Sequence, residues 1–215
     1  GLGCPDWPGC YGSASPIGAR PQIEAAQTVL PSGPVTHGKA WVEMLHRYLA
    51  SAVGVLIIVT AVAGWWLQGR RRRTDDALPS PWWATVTLAW VCLQGAFGAF
   101  TVTMKLYPAI VTAHLLGGLV LLGLLAAQAQ MFQPRPLPTT HSLRAGLWAL
   151  AGLTALQVAL GGWVSTNYAV LACTEFPTCQ GSWWPAMDFV HAFALRRELG
   201  TTAAGEFLPF AALTA

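Results

Sequence analysis

The sequence predicts an all-α membrane protein, an antiparallel bundle of transmembrane helices, on three observations. Of its 215 residues 54% are hydrophobic and 10% charged, where a soluble domain carries about 25% charged residues. Four apolar runs, 41–68, 82–104, 108–131 and 145–166, each come near the ~20 residues a helix needs to cross a bilayer. Eleven tryptophans suit a chain with two interfaces to anchor, because the indole ring favours the headgroup level. The net charge of +3 is too small and too localised for a nucleic-acid partner.

Taken in order, residues 1–40 are rich in Gly, Pro and Ser, carry Cys4 and Cys10, and read as an extramembrane loop. Span 41–68 gives way to Arg70, Arg71, Arg72 and Arg73 in loop 69–81. Spans 82–104 and 108–131 are joined by the turn 105–107, and the Pro-rich loop 132–144 holds Arg135 and Arg144. After span 145–166 comes loop 167–206 with Cys173 and Cys179, and 207–215 opens a further apolar run. By density of basic residues the arginine-rich loops face the cytoplasm. The cysteine loops then lie outside, where disulfides persist. Cys4 is expected to pair with Cys10 and Cys173 with Cys179, either as loop staples or as redox-active pairs. The chain begins Gly-Leu-Gly-Cys and stops within an apolar stretch, so an internal segment of a longer protein is expected.

Cys4-Pro-Asp-Trp-Pro-Gly-Cys10-Tyr-Gly12 and Cys173-Thr-Glu-Phe-Pro-Thr-Cys179-Gln-Gly181 match at a constant offset of 169 (4 to 173, 10 to 179). Both read cysteine, any residue, acid, aromatic, proline, any residue, cysteine, any residue, glycine. A tandem duplication is implied, with two four-span halves of which this chain holds one and the start of the second. The counterpart of the segment around His46 is then expected just past residue 215.

Chemistry concentrates at Glu43-Met-Leu-His46-Arg47, where an acid, a metal ligand and a cation meet at the start of the first span. Residues three or four apart share a helix face. His114 stands in a later run with no other strongly polar side chain around it. At ~1.5 Å per residue, His46 lies about 10 Å past Lys39 and His114 about 9 Å past Pro108, on spans entering from the same side. Two histidines at matched depth can hold a six-coordinate heme iron between them. Gly117 and Gly118 beside His114, and Ala50 and Gly54 beside His46, would leave room for the macrocycle; alternatively those glycines serve helix packing and His114 bonds a neighbouring helix. Glu43 either stabilises charge on the heme or is a first-turn acid favoured by the helix dipole. Arg47 is a candidate partner for a heme propionate or a lipid phosphate. A di-iron site built on Glu-x-x-His needs further carboxylates, and the spans offer none. Cys92 is expected to be packed mid-span, and His37, His141 and His191 to be solvated in loops.

Four stretches together resemble the heme A synthase family in its proteobacterial form. They are Gly-Leu-Gly-Cys4-Pro-Asp-Trp-Pro-Gly-Cys10-Tyr-Gly; His37-Gly-Lys-Ala-Trp with Glu43-Met-Leu-His46-Arg47; Thr112-Ala-His114-Leu-Leu-Gly-Gly; and Gly161-Gly-Trp-Val-Ser-Thr-Asn-Tyr-Ala with Cys173 to Gly181. The resemblance implies eight spans in two similar halves. It implies oxidation of a ring methyl of heme O to the formyl of heme A, for cytochrome c oxidase, by successive hydroxylations and loss of water from a gem-diol. By motif position His46 and His114 are the heme ligands of the N-terminal half, Glu43 is the acid linked to activity, and the cysteine pairs are the loop disulfides. Heme b is implied as cofactor in the C-terminal half, so the segment alone is expected to be inactive. The implied setting is a multi-pass protein of the bacterial inner membrane with periplasmic cysteine loops. Lipid, heme O synthase and a quinone or other electron acceptor are its implied partners. Two alternatives stay open, a non-catalytic b-type membrane cytochrome and a thiol–disulfide membrane oxidoreductase.

Overall fold

The computed structural model describes residues 2–31, 33, 35–70, 79–132 and 140–215. Arg71, Arg72, Arg73 and Arg135, on which the orientation argument leans, lie outside the described residues. Among the described residues the regular structure is helical. The helices are α1 (Arg20–Val29), α2 (His37–Arg70), α3 (Pro81–Thr103), α4 (Pro108–Met131), α5 (His141–Thr166), α6 (Phe189–Ala192) and α7 (Phe210–Leu213), with a 3-10 turn at Ala169–Leu171. Four of them, α2 to α5, are long and apolar enough to cross a membrane, and the protein is an all-α, multi-pass membrane protein.

Helices α2 and α5 begin before their apolar runs because polar residues cap them. The Thr36 hydroxyl accepts the amide of Lys39 (3.3 Å), and the Thr140 hydroxyl accepts that of Leu143 (3.3 Å). Each satisfies a first-turn donor that has no partner within the helix. His37 and His141, expected in loops, therefore open helices. Helix α1, inside the segment 1–40, places Ile23 in a small core with Cys4, Cys10, Ala19, Ala40 and Met44. Its first turn carries an Arg20–Glu24 pair at 2.7 Å.

The chain folds as two units, Gly1–Thr103 with Gly117–Pro138, and Met104–Leu116 with Thr139–Ala215. In the first, α2 and α3 meet at an edge-to-face pair of Trp65 and Trp82, with ring centroids 5.3 Å apart. The Trp65 indole donates to the Thr85 hydroxyl (2.9 Å). Helix α3 grips the later turns of α4 through polar groups: the Trp90 indole donates to the Gly117 carbonyl (2.9 Å), and the Gln128 amide donates to Thr87. Where hydrocarbon surrounds helices, such bonds and close backbone approach hold them together.

In the second unit the Thr112 and Thr166 hydroxyls meet at 3.2 Å. Gly162 lets α5 approach, since a Cβ there would stand 2.8 Å from Leu115. The Trp163 indole donates to the Ala192 carbonyl (2.9 Å), and its ring lies parallel to that of Phe193 at 6.3 Å. Helices α6 and α7 are joined by the Asp188 amide donating to Ala211 (2.8 Å) and the Thr214 hydroxyl donating to Ala186 (2.7 Å).

Candidate functional site

The Glu43–Arg47 segment is built against the first cysteine loop, which the Cys4–Cys10 disulfide closes. Inside that loop the Asp6 carboxylate accepts the amides of Tyr11 (2.6 Å) and Gly12 (2.8 Å). Gly12 takes φ +71°, a backbone state glycine adopts without strain. Glu43 reaches back from α2 and accepts the amides of Gly3 (2.6 Å) and Cys4 (3.2 Å). Its other oxygen pairs with Arg47. Gly3 must be glycine, because a Cβ there would stand 2.4 Å from the Lys39 carbonyl oxygen.

Arg47 donates to the carbonyls of Gly9 (2.6 Å), Pro8 (3.1 Å) and Asp6 (3.1 Å). Both terminal nitrogens of its guanidinium are thus engaged, by the loop carbonyls and by Glu43. The Tyr48 hydroxyl adds a bond to the Ala14 carbonyl (2.5 Å). An acid and a cation one turn apart therefore clasp the loop to α2, one by its amides and the other by its carbonyls. Asp6 and Gly3 were not singled out in the sequence, although Asp6 is the acid of the repeated motif.

His46 is exposed on α2, while the adjacent Met44 is buried in the loop core. His114 is half-buried on α4. His46 belongs to the first unit and His114 to the second. The glycines near them differ in role. A Cβ on Gly117 would lie 1.6 Å from the Gln94 amide nitrogen, so Gln94 already fills that space. Gly118 and Gly54 have nothing within 4 Å of a Cβ position. Space is therefore open beside Gly54 and Gly118 but filled by Gln94 beside Gly117. Neither Trp90 nor Gln94 was foreseen, because spacing reveals a glycine but not what occupies its missing side chain.

The second cysteine loop repeats the first in backbone as well as in sequence. The Cys173–Cys179 disulfide closes it, and Glu175 accepts the Gly181 amide as Asp6 accepts that of Gly12. Cys10 pairs with Ser13 and Cys179 with Ser182 in matching bridges. Trp7–Pro8 and Phe176–Pro177 are both cis, and Gly181 takes φ +74°.

Cys92 is exposed on α3 rather than packed. His191, within α6, holds Asp188 through a 2.6 Å side-chain contact. The Asp188 carboxyl lies below its ordinary range because it accepts first the His191 amide and then the His191 ring.

Arg197 is 3% exposed. It donates to the Asn167 carboxamide and, at the outer limit of a bond, to the Thr201 carbonyl (3.5 Å). Burial pushes its guanidinium down from the ordinary value, opposed by nearby Tyr107. Arg196 and Arg197 stand side by side in loop 167–206, and nothing in the residue order marks one of the two as buried.

The family profile COX15-CtaA, described as cytochrome oxidase assembly protein, matches residues 1–205. A relative from Shewanella oneidensis, named heme A synthase, is 38% identical over 198 residues, which is 90% of this chain and 57% of that protein. One of the same name from Halalkalibacterium halodurans is 26% identical over 209 residues, 94% of this chain and 62% of the relative. Another from Symbiobacterium thermophilum is 32% identical over 161 residues, 69% of this chain and 50% of the relative. The chain thus spans 57% and 62% of the length of the first two. No solved structure matches it. With nearly its whole length matched, the chain belongs to the COX15-CtaA family of cytochrome oxidase assembly proteins.

Proposed function

We propose that the protein acts as a heme A synthase, oxidising a ring methyl of heme O to the formyl group of heme A for cytochrome c oxidase. The observation that carries this is a match to relatives of that name in a chain whose spans hold His46 and His114, with open glycine faces at Gly54 and Gly118. His46 and His114 are the axial ligands of the substrate heme. The heme b cofactor, assigned to the second of the two repeats, supplies electron transfer when bound.

Glu43 acts by charge. Two backbone amides and Arg47 hold its carboxylate in one place and keep it from reorienting as the reaction proceeds. Taking electrons from a methyl group develops positive charge at that carbon, and a fixed carboxylate in a poorly screened setting stabilises it. Methyl passes to hydroxymethyl, then to a gem-diol that loses water to give the formyl. Each of the two oxidations takes one oxygen from water and passes two electrons and two protons to an acceptor of the quinone class, which is reduced to the quinol. The cysteine loops face the periplasm, and the first of them holds Glu43 at the outer boundary of the bilayer.

Heme extraction from cells expressing the full-length gene beside a heme O source tests the assignment. A formyl-bearing heme is expected. Unchanged heme that reduces reversibly would make the protein a b-type cytochrome, and absence of heme would leave the thiol–disulfide reading.

A further inference from the structure

Arg197 is a buried cation with no carboxylate at ion-pair distance among the described residues. A guanidinium offers five N–H donors. Among the described residues two contacts are made, to Asn167 and at 3.5 Å to Thr201. Its Nε–H is enclosed with no acceptor. Glu198 and Glu206 are exposed, and the ion pairs among the described residues are Arg20–Glu24, Arg47–Glu43 and His191–Asp188. Burying an unpaired charge is costly, and a well-placed anion offsets that cost.

A structural role accounts for part of this. The Asn167 amide donates to the Trp163 carbonyl at the end of α5 (2.8 Å), so Arg197 reaches the negative end of that helix through Asn167. That uses one face of the guanidinium and leaves the Nε–H unpaired. The Thr201 contact is long enough for a stronger acceptor to displace it at little cost.

Position within the same unit indicates the anion. Asn167, the partner of Arg197, directly follows Thr166, whose hydroxyl meets that of Thr112 near the start of α4 at 3.2 Å. The N-terminus of this 24-residue helix favours negative charge. His114 lies six residues along it, about 9 Å at ~1.5 Å per residue. A porphyrin carries both carboxylates on one edge. Ligated at His114 with that edge toward the start of α4, it would direct a carboxylate to the end of the helix at which Thr112 meets Thr166, the neighbour of Asn167.

We propose that Arg197 is the carboxylate-binding residue for the porphyrin held by His114, the role that Arg47, engaged by the cysteine loop, does not fill. This rests on the heme reading above. The probes that test it are iron protoporphyrin and its dimethyl ester, titrated spectroscopically into full-length protein whose second-repeat site is already filled with heme b, so that only further binding is read. A charge-assisted hydrogen bond is lost in the ester, so the wild type is expected to bind the free acid about tenfold more tightly. Arg197→Gln is expected to bring acid and ester to equal affinity, and Arg197→Lys to keep part of the preference.

An acid-to-ester ratio near one in the wild type, or a ratio unchanged by Arg197→Gln, would overturn the proposal. Should Arg197→Gln fail to accumulate, the wild-type ratio and its size in Arg197→Lys decide, and an undiminished ratio counts against the proposal. His114→Ala separates the two claims, because it removes binding of both probes, whereas Arg197 changes only their ratio. A wild type that binds neither probe refutes the heme reading and this inference with it.

Discussion

At the scale of single residues, Glu43 and Arg47 are joined to each other and to the Cys4–Cys10 loop. Glu43 therefore has a mechanical effect on the loop, separable from the electrostatic role proposed for it. Glu43→Gln keeps an oxygen that can accept the Gly3 amide while removing the charge. Heme content in the full-length protein is expected to stay near wild type while heme A output falls about a hundredfold, the scale seen when a stabilising electrostatic group is removed. Product analysis by reverse-phase chromatography reads both quantities. Undiminished heme A from that variant would take Glu43 out of the mechanism. The sequence makes Glu43, His46 and His114 visible because each is a titratable group at or within an apolar run. Arg197 is invisible there, since burial of a loop arginine depends on contacts with Asn167 and Thr201 that residue order does not encode.

At the scale of elements, α3 and α4 are locked by Trp90 and Gln94 closing on Gly117. Gly117→Ala drives a methyl against the end of the Gln94 side chain, which can turn aside, and is expected to destabilise the helix pair by about 1 kcal/mol, the low end of the usual range for overpacking. Adding Gln94→Ala restores the space and should recover most of the loss. Thermal unfolding of the detergent-solubilised full-length protein measures both, and equal stability of Gly117→Ala and wild type would mean that the contact is not a packing constraint. The spans themselves are legible from hydropathy, but their starts are not. Capping by Thr36 and Thr140 carries α2 and α5 outward past the apolar residues. Helix α1 also escapes notice, because Gly, Pro and Ser dominate its surroundings and its single buried side chain, Ile23, gives no periodic stripe.

At the scale of the whole molecule, the repeat is the deepest regularity. Two cysteine loops separated by 169 residues share a disulfide, an acid that accepts a glycine amide, and the same bridge. The motif was legible as letters because disulfide, acid and glycine each have an irreplaceable job in the turn. What differs between the loops is their anchorage: the first is held by Glu43, Arg47 and Tyr48, while Gln180 ties the second to Ala172 (3.0 Å). The central claim is that His46 and His114 together ligate one heme. Electron paramagnetic resonance of the full-length protein loaded with heme O measures it most directly, compared with His46→Ala and His114→Ala. A low-spin, bis-histidine signal that appears in the wild type on loading heme O, beside that of the heme b assigned to the second repeat, and turns high-spin or disappears in each variant is predicted. The same low-spin signal surviving in either variant would contradict the account.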